Sequence, residues 1–498
     1  MALLRSFGAI FVSLIAAAGN DNLSSLTKAV TAFKLPNGAQ FLVVERPYSP
    51  MIAFHFRVNA GTADEPHGRS GLATLALMSF LQGSEAYGTR NQAAEKTALA
   101  EASRLMDAAH TEGARGDQGD DAKKARLEFQ ARTVYADAAN LGIRARYFEG
   151  ILIQNGAANF EVRSMADYSD LAVTVPSDRA ELWFRMLGSW LQTPSPRFFP
   201  QSRDMLVDQR ERSAKTGAVQ RDRAFASGFS LHPYQATAAG DGELNSIVPS
   251  EVLAFMRTNY APANLTLAMV GDISPAEARR LAEVYFGKLP VAPPPEPRRA
   301  DLPKADNTQP IRLALPEAPI FAAAWPRPAA SDKSNAAFDV VQALLGGGPG
   351  SRIYNELMAE TKLANRLTIN THFPGARYPG FFVIEAEPLQ TRSHEEVEAA
   401  IIKALEGIAK EGVTAAEVEK ARTWLRNHFV ADSRPMAGRA LQLVRLQSEY
   451  GTYKIEEVLA KLEAVTPADC QRVVSEYFAG KPYFSVVQLT AVDAGAAQ

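Results

Sequence analysis

The chain has 498 residues, of which 46% are apolar and 22% charged, with a formal net charge of −2. That length exceeds one ordinary domain and is enough for two sizeable cores. The near-neutral charge excludes a general affinity for nucleic acid or an anionic membrane surface. The single cysteine, Cys470, excludes an intramolecular disulfide and a cysteine-rich metal site.

Residues 1–18 read as a secretory signal. Arg5 supplies the positive start, Phe7 to Ala18 a short apolar run, and Ala16-Ala17-Ala18 a small-residue cleavage site. The run is too short to span a bilayer, and no cysteine follows it to carry a lipid anchor. Export to a Gram-negative type periplasm is the expectation, with no integral membrane segment after cleavage. Further on, Thr89–Ala139 is rich in Ala, Glu, Arg, Lys and Asp and is broken by the run Gly113 to Gly119. It predicts two polar helices joined by a glycine turn, inserted in the first domain and projecting from it. Each arm would reach roughly 30 Å. Such a hairpin is either a solvated decoration or a partner-binding arm, and at that length it must pack on something to be stable.

A repeat is visible in the second part of each half. Pro249-Ser250-Glu251-Val252 opens a helix ending at Tyr260, followed by a strand Asn264–Val270; Pro467-Ala468-Asp469-Cys470 opens a helix ending at Phe478, followed by a strand Tyr483–Leu489. Both pairs are about 218 residues apart, and each helix has proline in its first turn. The earlier segments Phe54–Leu81 and Ile320–Leu345 correspond at an offset of about 265. The first half therefore holds roughly 48 extra residues, for which the hairpin near 89–139 accounts. Between the halves, residues 291–309 include Pro293-Pro294-Pro295-Glu296-Pro297 and read as an extended, semi-rigid linker. The expected class is α+β: two homologous domains, 28–290 and 310–490, each a mainly antiparallel sheet packed with helices.

The ordered motifs resemble the M16 family of zinc peptidases, the group of pitrilysin, insulin-degrading enzyme and the mitochondrial processing peptidase. Phe33–Gly38 with Phe41–Val44 resembles its opening hairpin, and Asn59–Glu65 its approach to the zinc helix. Asn159-Phe160 with Ser164-Met165-Ala166-Asp167-Tyr168 resembles its substrate-facing edge strand. Tyr260-Ala261-Pro262-Ala263-Asn264, Val270-Gly271-Asp272 and Leu345-Gly346-Gly347-Gly348 resemble three further signatures. The resemblance covers roughly residues 28–490.

Carried over residue by residue, the resemblance implies a lost active site. Gly71-Leu72-Ala73-Thr74-Leu75-Ala76-Leu77-Met78 has the frame G-L-A-H-x-x-E-H, with Thr74 and Met78 at the two zinc histidines and Leu77 at the glutamate base. Such a peptidase needs two imidazoles on one helical face and a carboxylate to activate water. Gln209 falls on the distal zinc glutamate, and Met358 and Asn365 on the arginine and tyrosine that hold substrate in the second domain. Asp208 is adjacent to Gln209 but points elsewhere on the helix. Thr74, Leu75, Leu77, Met78 and Leu81 also read simply as the buried stripe of a helix. No two of the seven histidines lie three to five residues apart, and His67 with Glu65 is the least implausible substitute site. No serine sits in G-x-S-x-G, Cys470 reads as a buried inert thiol, and Gly346–Gly350 lacks the lysine of a phosphate loop.

The resemblance implies a non-catalytic subunit that pairs as a dimer, with a zinc-bearing M16 chain or with itself, around a peptide-binding chamber. It would need no cofactor, zinc being expected only in the partner. An unfolded or extended peptide would add to the exposed strand near Asn159–Val175, at Asn159, Phe160, Ser164, Asp167 and Tyr168. Two alternatives stand beside it: a structural core-type subunit of a larger membrane-associated complex, and a metallopeptidase with a rebuilt site.

Overall fold

The structure is a computed structural model that describes residues 29–490 except 144–146, 236–243, 297 and 306–308. The signal segment 1–18 lies outside the described residues, as do parts of the linker.

The first sheet contains β1 (Val30–Lys34), β2 (Gln40–Glu45), β3 (Met51–Val58), β4 (Ala158–Ser164), β5 (Ser169–Pro176) and β6 (Leu265–Gly271), in the order β1-β2-β6-β3-β5-β4. The second contains β7 (Ile311–Leu315), β8 (Ile320–Arg327), β9 (Ala364–Phe373), β10 (Gly380–Pro388) and β11 (Phe484–Thr490), in the order β7-β11-β8-β10-β9. Without β1, the two orders are the same path. Each sheet is antiparallel apart from one parallel pair, β2 with β6 and β7 with β11. The fold is the expected α+β class, and the repeat extends through all five equivalent strands. The opening hairpin is β1 against β2, with Val30 opposite Val44.

Strand alternation explains the layers. In the first sheet Phe41, Val43, Phe54, Phe56, Leu267 and Met269 point into one core with the helices of the first half. The opposite face presents Leu42, Val44, Ala268 and Val270, and its cover comes from the second half: Ala440, Leu443 and Val444. The second sheet is built alike. Phe321, Ala323, Trp325, Phe382 and Ile384 face its own helices, while Ala322, Ala324, Phe381, Phe484 and Val486 are covered by Phe225, Phe229 and Tyr234 of the first half. The two halves thus exchange cover, each hiding the outer sheet face of the other.

Nine helices carry the argument. α1 is Leu72–Phe80, α2 Gln92–Gly113, α3 Asp121–Leu141, α4 Phe199–Ser213 and α5 Gly217–Ala226; α6 is Pro249–Asn259, α7 Asn335–Gly346, α8 Met436–Tyr450 and α9 Pro467–Tyr477. The exchanged helices α5 and α8 start about 219 residues apart, so the exchange belongs to the repeat. α6 and α9 begin at the two expected prolines, and in each a carboxylate three residues on accepts the N-cap amide: Glu251 from Val248 at 3.0 Å, Asp469 from Thr466 at 3.0 Å.

The inserted segment is a helical hairpin, α2 packed on α3, capped by Asn91 and Asp120. It does not project freely. Glu95 is buried against Arg197 with oxygens at 2.7 and 3.0 Å, and Ala102, Leu105, Met106 and Ala109 join the first core or its margin. The second arm contributes little beyond Ala131, Tyr135 and Ala138. An uncompensated apolar side is what a long isolated hairpin cannot keep, and α2 resolves this by docking.

Candidate functional site

α1 starts where the chain turns at Gly71, whose φ of +104° suits glycine. A Cβ there would come 2.7 Å from Leu244 Cδ1 and 2.9 Å from Arg210 Nη2. The carboxylate of Glu65 serves the helix start: Oε1 accepts from the Gly71 and Ala73 amides at 3.0 and 2.8 Å, and Oε2 accepts from Gly71 at 3.1 Å. Burial pushes this carboxyl up to about 7, against the pull of those amides and of Arg210.

This sign makes a prediction. Below the unfolded value of 4.5 the group is protonated in both states and costs nothing. As pH rises from there to about 7, the unfolded carboxyl ionises while the folded one keeps its proton, so the fold loses up to about 3 kcal/mol, and the loss is complete above 7. Glu65→Gln keeps one acceptor oxygen and should flatten this slope. Denaturant titrations of both proteins at pH 5 and pH 8 check it: the wild type should lose stability relative to the variant on going to pH 8.

Along α1, Leu77 is in the core, while Thr74 and Met78 lie one turn apart on its half-buried side. A hydroxyl and a thioether do not fit zinc as two imidazoles would, and Leu77 between them is buried hydrocarbon with no donor. Gln209 is exposed on α4, whose Leu206 and Ser202 are its buried side. Among the described residues, no three His, Cys, Asp or Glu side chains gather as they would around a metal. His67 with Glu65 is corrected as a substitute site. His67 is exposed, and Glu65 is buried and bonded to the helix start. Cys470 is buried on α9, and burial pushes its thiol up to about 12.

The strand called substrate-facing is β4, the last strand of its sheet. The expectation that the free edge runs to Val175 is corrected: β5 is interior, paired with β3 on one side and β4 on the other. Asn159 has φ +54° and sits in the irregularity between Ala158 and Glu161, so the regular ladder is Glu161 to Ser164. Phe160 packs on Phe148 with ring centroids 5.8 Å apart. Ser164 pairs with Ser169.

Asp167 is corrected as a peptide contact. Its Oδ1 accepts from the Tyr234 hydroxyl at 2.7 Å, and its Oδ2 from the Ala376 and Arg377 amides at 2.6 and 3.0 Å. It fastens the two halves together. Arg377 reaches back to the Asp64 carboxylate at 2.9 and 3.0 Å, to the Asn59 carbonyl at 2.8 Å and to the Asp167 carbonyl. Tyr168 instead lies under the Arg57 guanidinium, 3.6 Å from its ring centroid. Met358 packs at the margin of the second core, and Asn365 is exposed at the start of β9, bonded to Glu387 at 3.1 Å. The nearby Arg352 is occupied by Glu417 at 2.8 and 3.2 Å.

Where the halves meet, a cleft of about 630 Å³ is lined by Asn59, Tyr168, Asn370, His372, Arg445 and Glu449 among others. Burial, then the charges of Arg327 and Arg445, push His372 down to about 2, so its imidazole is neutral at working pH. Its Nε2 sits 3.2 Å from Asn335 Oδ1, which also accepts from Arg327. The arrangement can bind through hydrogen bonds and charge. It offers no poised histidine base. Arg57, Asp64, Asp170 and Arg377 were not singled out in the sequence. For Arg57 a signal was there: in Phe54-His55-Phe56-Arg57-Val58 the alternation sets two polar side chains on one face of an otherwise apolar strand.

The fold is a two-unit α+β scaffold, two sheets of matching strand order each packed with helices. Residues 246–425 match the family described as the peptidase M16 inactive domain. That segment is M16-like. The chain is 23% identical over 252 residues to an uncharacterized zinc protease of Streptomyces coelicolor, covering 49% of this chain and 54% of that one. The chain thus spans about half the length of that relative. Its fold is similar to that of a protease from Helicobacter pylori (TM-score 0.71, 16% identity, 92% of this chain and 99% of the other). It is also similar to the periplasmic protease PqqL from Escherichia coli, with TM-score 0.65 and 13% identity over 94% of this chain and 48% of that one. The matched segment 246–425 begins beyond α1, so the state of α1 rests on its own residues.

Proposed function

We propose that the chain is a non-catalytic M16-like subunit. It pairs with a zinc-bearing M16 chain, or with a second copy of itself, and contributes peptide-binding surface to the shared chamber. The observation that supports this is α1: it carries Thr74, Leu77 and Met78, which the family resemblance sets at the zinc-ligand and base positions, inside a fold similar to that of a solved protease. Two supports stand beside it. The edge of β4 is open over Glu161–Ser164, which suits backbone pairing with an extended peptide. The Escherichia coli protease is about twice the span of this chain, so two such chains together have its size. The apolar run after Arg5 and the description of that neighbour as periplasmic support a periplasmic location. No helix among the described residues is long and apolar enough to cross a membrane.

Co-expression with a zinc-bearing M16 chain from the same genome tests this reading. The expected result is a stable complex, zinc bound only by the partner, and peptide cleavage by the partner that changes when this chain is present. Absence of a complex with either chain overturns the pairing. Near-stoichiometric, chelator-sensitive zinc with peptide cleavage in this chain alone overturns its non-catalytic character.

A further inference from the structure

A cleft of about 1000 Å³ lies between the inserted hairpin and α4, next to the start of α1 at Gly71. That is at the upper end of what small-molecule sites occupy. Its walls are unusually cationic: Arg69, Lys124, Arg203 and Arg210, against the exposed carboxylates Glu128 and Glu211. Arg69 is neutralised by Glu251 at 2.9 Å. Its Nη2 also lies 3.0 Å from His110 Nε2. Arg210 donates to Ser70 at 3.0 Å beside Glu65.

Arg203 differs from both. It is only 8% exposed, yet among the described residues it has no carboxylate at ion-pair distance. Nη1 donates to the carbonyls of Asn245 and Ile247 at 2.9 and 3.2 Å, and Nε has no partner. The neighbouring carboxylate, Asp204, is taken by Arg132 at 2.9 and 3.1 Å. A buried guanidinium without an anion is costly, and such costs are retained where a ligand completes the charge. Lys124, laid along Gly113 on the opposite wall, has no ion-pair partner among the described residues either. The lining also includes the apolar side chains of Met106, Val207 and Leu244.

We propose that this cleft binds a small organic anion, its carboxylate or phosphate group held by Arg203 and Lys124 and its short apolar body lying on Met106, Val207 and Leu244. The hairpin is then a wall of a binding site, and the ligand can be exchanged without opening the junction of the two halves. The proposal does not depend on the pairing function, since it is read on the isolated chain.

Titration calorimetry of the full chain with hexanoate, hexyl phosphate and inorganic phosphate tests it. Binding of hexanoate or hexyl phosphate, with inorganic phosphate weaker, is expected; which of the two binds identifies the head group. Arg203→Met should weaken binding about tenfold or more. Because Arg203 also holds Asn245 and Ile247, two milder variants guard against misfolding: Lys124→Met should weaken binding, and Val207→Trp should block it. No binding of either amphiphile to the wild type, or equal binding by folded Lys124→Met and Val207→Trp, overturns the proposal.

Discussion

Arg57→Ala is expected to lower the unfolding free energy by about 3–5 kcal/mol in denaturant titration. Arg57 and Asp170 are 1% and 3% exposed and form a two-pronged pair at 2.7 and 2.6 Å. Burial alone would raise Asp170, but Arg57 and then His55 outweigh it and hold the carboxyl below its ordinary value. The guanidinium also donates to Ser448 of α8 at 2.8 Å and lies over Tyr168, so it joins the first sheet to the helix that covers it. Removing it leaves a buried carboxylate with only His55 at 3.0 Å. The joint replacement Arg57→Met with Asp170→Leu removes both charges and should cost much less, because the penalty lies in the stranded ion. A loss below about 1 kcal/mol for Arg57→Ala would show that the pair does not fasten the junction.

Arg377→Ala should be comparably damaging, again about 3–5 kcal/mol, and its signature should be local. One side chain serves the Asp64 carboxylate and two carbonyls of the first half, from a loop of the second. Asp64 is already pushed up by burial despite Arg377, so without this partner it would take a proton or draw in water. Arg377→Lys should recover only part of the loss, since a single ammonium cannot span three acceptors set around a planar fork. Thermal unfolding measures the cost. Limited proteolysis measures its place: cleavage in the linker 291–309 should speed up, because Arg298 in that linker donates to the carbonyls of Asp64 and Glu65 at 3.2 and 3.1 Å. Unchanged stability and cleavage would assign the joining of the halves to the apolar exchange alone.

The sequence revealed the repeat because it is written in local signals: proline at a helix start, then a β-rich run, twice. α6, β6, α9 and β11 fall within a residue or two of where those signals put them. The hairpin was legible for the same reason, through composition and a glycine break. The exchange of α5 and α8 was not. Each is an amphipathic helix whose apolar side matches any apolar surface, and nothing in Phe225 or Leu443 says that its partner lies in the other half. Asp167 failed similarly. A short motif beside an edge strand gave no sign that Arg377, about 210 residues on, would occupy it. The residue types of α1, with no imidazole or carboxylate at Thr74, Leu77 and Met78, could be read directly, because a side chain's donor set needs no tertiary context. The buried cations Arg57, Arg203 and Arg377 needed all of it.

The reciprocal cover of the two sheets has a consequence in time. Synthesis proceeds from the first half to the second, and Leu42, Val44, Ala268 and Val270 are all in place long before Ala440, Leu443 and Val444 exist. About 170 further residues must be added before that apolar strip is hidden. A nascent chain stopped in the linker would carry it bare, as a sticky plane beside a sheet already formed.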